Sequence, residues 1–220
     1  LKGMGLGGWL VQEGYMLQTG EKDAEWQIRE AISELVGEEK TVELYELYHK
    51  NYVSKIDIDS LAAWGFNSIR LPMHWNKLIS DLDPLTFNEE GFKTIDTLLT
   101  WCEENQMYLI LDLHAAPGGQ SKGGIADYNP SIPYLWDSEQ MKNVTVDLWK
   151  TLAQRYVNEE WIGGYDLINE PAEDLGANAP PLRELYIRIT NAIRQVDNNH
   201  ILFIEGNWYA TTFDGLTPPW

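Results

Sequence analysis

The sequence predicts an α/β fold in which parallel strands alternate with helices. Three observations predict it. Five short apolar runs are separated by longer amphipathic ones. The apolar runs are near-continuous, as in strands buried on both faces of a parallel sheet. Polar residues gather at the C-terminal ends of four of them. Strand–helix alternation brings right-handed crossovers with it. A doubly wound sheet and a β/α barrel both satisfy this pattern.

Taken in order, residues 4–10 (MGLGGWL) read as a first strand, with glycines where backbone comes close. Residues 24–35 and 41–51 carry helical spacing and read as an insertion. Residues 56–64 predict a helix with Ile56, Leu61 and Trp64 facing inward and Gly65 closing it. Residues 66–71 (FNSIRL) are the second strand, stopped by Pro72. Residues 88–105 form a helix with Phe92, Ile95, Leu98, Leu99 and Cys102 on one stripe. The third strand is 107–113 (MYLILDL), followed by a helix over 138–156. The fourth is 164–168 (GYDLI), followed by a helix over 181–196 with proline in its first turn. The fifth is 200–204 (HILFI).

The chain has 220 residues, enough to bury one sizeable core. An eight-stranded β/α barrel typically needs about 250. The formal charge of −18 repels phosphate backbones and argues against nucleic acid as a partner. No stretch approaches the ~20 apolar residues of a membrane span. Cys102 is the single cysteine, so no disulfide forms within the chain, and a small buried residue on a helix is its expected role. The chain begins at Leu1 without a leader-like segment, so a processed or excised piece is expected. Asn143-Val144-Thr145 fits the glycosylation acceptor pattern, although within a helix.

The chemistry is carried by the strand ends. The second run leads into Arg70, His74 and Trp75, and the third ends in Asp112 and His114. The fourth ends in Asn169 and Glu170, the fifth in Glu205, Asn207, Trp208 and Tyr209. In a β/α barrel all these ends meet at one face, where active sites lie. Each residue also has a plainer role open to it. Arg70 can be a buried ion-pair member, His74 and His114 satisfied core histidines, and Asp112 a strand-end hydrogen-bonding group. Glu170 is the strongest candidate: it follows Leu167-Ile168-Asn169, precedes strand-ending Pro171, and sits where a carboxyl can protonate a leaving group. Adjacent strand residues face opposite ways, so Asn169 and Glu170 share a site only where the chain bends away. Trp9, Trp75, Trp136, Trp208 and Tyr209 can be core residues or platforms for the apolar face of a sugar ring. No phosphate-cradling G-x-G-x-x-G joins a strand to a helix, no H-x-H pair suggests a metal, and no G-x-S-x-G is present. The residues call for no cofactor and no metal.

Four segments in order resemble glycoside hydrolase family 5, the cellulase family. They are Gly5-Leu6-Gly7-Gly8-Trp9-Leu10, Phe66-Asn67-Ser68-Ile69-Arg70-Leu71-Pro72, Leu111-Asp112-Leu113-His114-Ala115-Ala116-Pro117-Gly118, and Gly164-Tyr165-Asp166-Leu167-Ile168-Asn169-Glu170-Pro171. The first is similar to the exo-β-1,3-glucanase-like branch. The resemblance implies a TIM (β/α)8 barrel, with residues 1–220 covering its first five β/α units as one incomplete domain. Strands six to eight would lie beyond the chain, as a C-terminal part that completes the barrel. It implies a secreted or periplasmic glycosidase that retains configuration on a β-1,4- or β-1,3-linked glucan oligo- or polysaccharide. Glu170 would be its acid/base. Asn169 would bind the sugar 2-OH, Arg70 would orient the nucleophilic carboxylate, and His114 would support that network. Trp9, His74, Trp75, Trp136, Asn207, Trp208 and Tyr209 would contact substrate. The family's nucleophile, a glutamate ending strand seven, is not in this chain, and Glu205 does not match it. A non-catalytic carbohydrate-binding barrel and a transglycosylase are the competing readings.

Overall fold

A computed structural model describes residues 1–217; residues 218–220, the end of the predicted domain, lie outside the described residues. Five parallel strands form one sheet: β1 (Gly3–Gly5), β2 (Ser68–His74), β3 (Tyr108–Ala115), β4 (Ile162–Asp166) and β5 (Leu202–Phe203). Their spatial order is their sequence order, without reversal. A doubly wound sheet reverses at a switch point, whereas a barrel winds one way. The order therefore decides between the two architectures that the sequence pattern allows.

The helices that make the crossovers are Lys55–Ala63, Glu89–Glu104, Glu139–Tyr156 and Pro180–Arg194. Their starts are written in the sequence. The Asn88 side chain accepts the amide of Glu90, and the Ser138 hydroxyl that of Met141. Ser54 and Asp57 form a reciprocal cap. Phe92, Ile95, Leu98, Leu99 and Cys102 are all buried, as their helical spacing requires. Helices Glu25–Val36 and Glu38–Tyr52 form the insertion between β1 and β2. A small antiparallel hairpin, Ile79–Leu82 with Leu85–Phe87, follows β2.

Several boundaries differ from the sequence reading. The first strand is only three residues long: Gly8 (φ 81°) turns the chain, and Leu10 regains β2 through a single bridge to Met73. In helix Lys55–Ala63 the inward residues are Ile58 and Leu61, while Ile56 and Trp64 are exposed. Ile56 and Leu61 are five residues apart, which puts them about 140° apart around a helix. Trp64 sits past the last helical turn. Pro72 does not stop β2, which runs through it to His74. The Arg70 carbonyl accepts from Leu6, so Pro72, two residues on, faces the same edge beyond the end of β1, where no ladder partner needs its missing N–H.

Candidate active site

The C-terminal ends of β2 to β5 are held at one place by hydrogen bonds from loops and helices. Strand β4 ends at Asp166, and the chain bends so that Glu170 adopts a left-handed backbone (φ 43°). A non-glycine residue in that conformation stores strain, which persists only where its surroundings fix it. Here the amide of Glu170 donates to the Glu205 carboxylate at 2.7 Å. The amide of Asn169 donates to Leu113 O at 3.1 Å. Gln120, fully buried, donates to the carbonyls of both His114 (2.7 Å) and Asn169 (2.8 Å), clamping the ends of β3 and β4 together. From the outer layer, Trp149 Nε1 donates to Leu167 O, and the Tyr186 hydroxyl donates to Glu205 O.

Arg70 is the hub. Its Nε reaches Asp166 at 2.9 Å, its Nη1 reaches Asp112 at 3.1 Å, and its Nη2 contacts both Asn169 Oδ1 (2.8 Å) and Glu205 (3.1 Å). Burial opposes the guanidinium charge, yet Asp112, Asp166 and Glu205 together hold its pKa above the ordinary value. Asp166 is pushed up to about 8 by burial and by the neighbouring charge of Asp112, against the pull of Arg70. Burial also raises the Glu205 carboxyl.

His114 is flanked by two carboxylates: Nδ1 lies 2.7 Å from Asp112 and Nε2 3.7 Å from Glu13. Burial works to lower its pKa, but Asp112 and then Glu13 outweigh it and raise the ring to about 9. At neutral pH it is an imidazolium with donors on both nitrogens. Asn169 Nδ2 stands 3.5 Å from His114 Nε2. Asp112 links Arg70 to His114, Arg70 holds Asn169 directly, and Glu205 links Arg70 to the backbone of Glu170, so the four belong to one network. The carboxylates Asp166 and Glu13 complete it, and the sequence reading did not single them out. Asp166 was visible as a lone acid inside an apolar run. Glu13 has no local signal, because its partner lies 101 residues away in sequence.

The residues expected to contact substrate are placed unevenly. Trp9 is enclosed, its indole donating to His49 O, and it offers no open ring face. His74 is buried against Asp127 at 2.7 Å. Trp136 is buried with Nε1 on Gln120 O, and Asn207 is buried with its amide bridging Glu173 N and O. Trp75 is half-buried, and Trp208 and Tyr209 are exposed on a left-handed turn docked to Pro171 through the amide of Tyr209.

A family model, Cellulase (glycosyl hydrolase family 5), matches residues 31–219. The chain belongs to glycoside hydrolase family 5. As a family 5 chain it has 35% identity over 213 residues to a β-xylosidase of Phanerodontia chrysosporium, covering 97% of this chain and 44% of that protein. It has 31% identity over 169 residues to endoglucanase C of Acetivibrio thermocellus, covering 75% of this chain and 47% of that protein. A rutinosidase structure from Aspergillus niger superposes with a TM-score of 0.76 at 20% identity, covering 94% of this chain and 62% of that one. The fold is accordingly that of a TIM barrel, of which five strands and the four crossover helices between them are seen among the described residues. The chain spans about half the length of the curated relatives it matches.

Proposed function

We propose that this chain supplies the acid/base half of a retaining β-glycosidase acting on a β-linked glucan. The observation that carries the reading is the convergence of Asn169, Arg70 and His114 beside Glu170, whose backbone is pinned by Glu205. Glu170 protonates the glycosidic oxygen as the bond breaks, then takes a proton from the attacking water. Asn169, oriented by Arg70 through its carbonyl oxygen, keeps its amide nitrogen to donate to a sugar hydroxyl. His114, held between Asp112 and Glu13, adds positive charge on the same side. Glu205 is committed to Arg70 and to the Glu170 amide, which suits a scaffold.

The nucleophile is a second carboxylate, in the proposal a glutamate from a later strand of the barrel, about 5–5.5 Å from Glu170 as retention requires. In this reading Arg70 orients that carboxylate. The three further β/α units would also cover the outer edges of β1 and β5, which have no strand neighbour among the described residues. Secretion or a periplasmic location remains part of the proposal and rests on the family.

A β-xyloside is the second reading of the substrate, favoured by the 35% identity to a β-xylosidase. Turnover of aryl β-glucoside and aryl β-xyloside by the complete polypeptide and by Glu170→Gln tests both readings. The proposal expects one glycoside to be turned over and the variant to lose at least about 10²-fold in kcat. Undiminished turnover by the variant contradicts it.

A further inference from the structure

We propose that Asn207 is a positioning residue for Glu170: its side-chain amide clasps the backbone of Glu173 and so fixes the segment that carries the acid/base against the end of β5. The inference rests on the reading of Glu170 as the acid/base and deepens it. The Glu173 N–H donates to Asn207 Oδ1 at 3.3 Å, and Asn207 Nδ2 donates to the Glu173 carbonyl at 2.8 Å. The amide side chain therefore pairs with both backbone groups of one residue, as a neighbouring strand would.

Glu170 needs such support. Its backbone is left-handed (φ 43°), a conformation that persists in a non-glycine residue only where flanking contacts fix it. At the upstream end, the Glu205 carboxylate holds the Glu170 amide at 2.7 Å. One residue on, the Pro171 carbonyl accepts the amide of Tyr209 at 3.2 Å. Asn207 closes the downstream end. The segment 170–173 thus runs beside 205–209. In the other direction, the Glu173 carboxylate accepts the amide of Lys122, in the loop after β3, at 3.1 Å.

Asn207 is held in turn. Its backbone N–H donates to Thr212 O at 2.8 Å, and its carbonyl accepts the amide of Thr212 at 3.0 Å. Between them, Trp208, Tyr209 and Ala210 all have left-handed backbones (φ 53°, 59° and 58°). Three such residues in a row make a strained turn. A Cβ on Gly206 would meet Thr212 O at 2.6 Å, so glycine lets the turn close. Asn207 is only 5% exposed and both ends of its amide are engaged by Glu173, so it acts through the segment and not by touching substrate. This departs from the substrate contact that the family resemblance implies for it.

The test measures kcat/KM of the complete polypeptide as wild type, Asn207→Ala, Asn207→Asp and Glu170→Ala on aryl β-glycosides of graded leaving-group acidity, with thermal melts as the check on folding. Asn207→Asp keeps the shape and the acceptor for the Glu173 N–H but loses the donor, and it carries the test if Asn207→Ala does not fold. The clasp predicts that both Asn207 variants lose about tenfold on poorly acidic leaving groups and about twofold or less on the most acidic ones, because only the former need a well-placed proton. A merely structural loss, or a lost substrate contact, lowers every member alike. A loss of equal size across the series, or none on any member, overturns the proposal. Glu170→Ala separates the two readings. Leaving-group dependence in Glu170→Ala but not in the Asn207 variants overturns the clasp alone. Its absence in Glu170→Ala removes the acid/base reading, and the clasp with it.

Discussion

The carboxylate of Glu205 accepts the backbone amide of Glu170 at 2.7 Å, so the end of β5 fixes the backbone of the residue that bends away beyond β4. The same carboxylate contacts Arg70 at 3.1 Å. With Glu170 as the proposed acid/base, Glu205 is assigned the part of a positioning residue. Glu205→Ala is expected to lower kcat about 10²-fold with a smaller change in KM, because a slight displacement of an acid/base group is enough for that loss. Glu205→Gln, which still accepts the amide, is expected to recover part of the loss and to shift the pH profile of kcat. Equal kcat in wild type and Glu205→Ala contradicts the role.

The pH dependence of stability follows from His114 and Asp166. Both have folded-state pKa values above their unfolded ones, about 9 against 6.5 and about 8 against 3.8. The folded state then binds more protons than the unfolded state, so stability falls as pH rises through these values. The His114 contribution is complete below pH 6.5 and lost by about pH 9, and the Asp166 contribution is lost between about pH 4 and 8. Urea unfolding at constant ionic strength is expected to show stability declining from pH 6.5 to 9, by roughly 2–4 kcal/mol from His114. Asp166→Asn is expected to flatten the part below pH 8. A flat or rising profile across this window contradicts these assignments.

The insertion is anchored to the short helix after β2 (Trp75–Leu78) by a buried ion pair, Glu25 with Lys77, and Glu25 also accepts the amide of Gln12. Burial opposes the Glu25 charge, but Lys77 outweighs it and lowers its pKa. Lys77→Met leaves that charge uncompensated and is expected to destabilise by about 3–5 kcal/mol. The double variant Lys77→Met/Glu25→Gln removes the stranded charge and keeps an acceptor for Gln12, so it is expected to regain most of the loss. Chemical denaturation of the two variants and wild type measures this directly, and a double variant no more stable than the single one contradicts it.

Which parts were legible in the sequence follows from the range of the interactions that set them. The stripe from Phe92 to Cys102 and the caps at Asn88 and Ser138 are local, and helical period and side-chain chemistry reveal them. The continuous apolar run of β3 likewise announces a strand covered on both faces. The short β1 was not legible, because the turn at Gly8 is held from the insertion, where the Tyr48 hydroxyl donates to the Gly8 carbonyl. Pro72 looked like a strand end because its tolerance depends on where β1 stops. Arg70 was foreseen with a carboxylate partner, but its contacts with Asp112, Asp166 and Glu205 come from β3, β4 and the segment after β5. Gln120 carried no signal at all: a polar residue in a glycine-rich loop becomes the clamp between β3 and β4 only once both carbonyls are brought to it.

The central claim is that Glu170 gives its proton to the departing oxygen. It is tested most directly by measuring kcat/KM of the complete polypeptide and of Glu170→Ala on aryl β-glycosides whose leaving groups span a range of acidity. The account predicts that the variant loses about 10²-fold or more on poorly acidic leaving groups and progressively less as the leaving group becomes acidic enough to depart without a proton. A loss of the same size across the whole series, or no loss on any member, would contradict it.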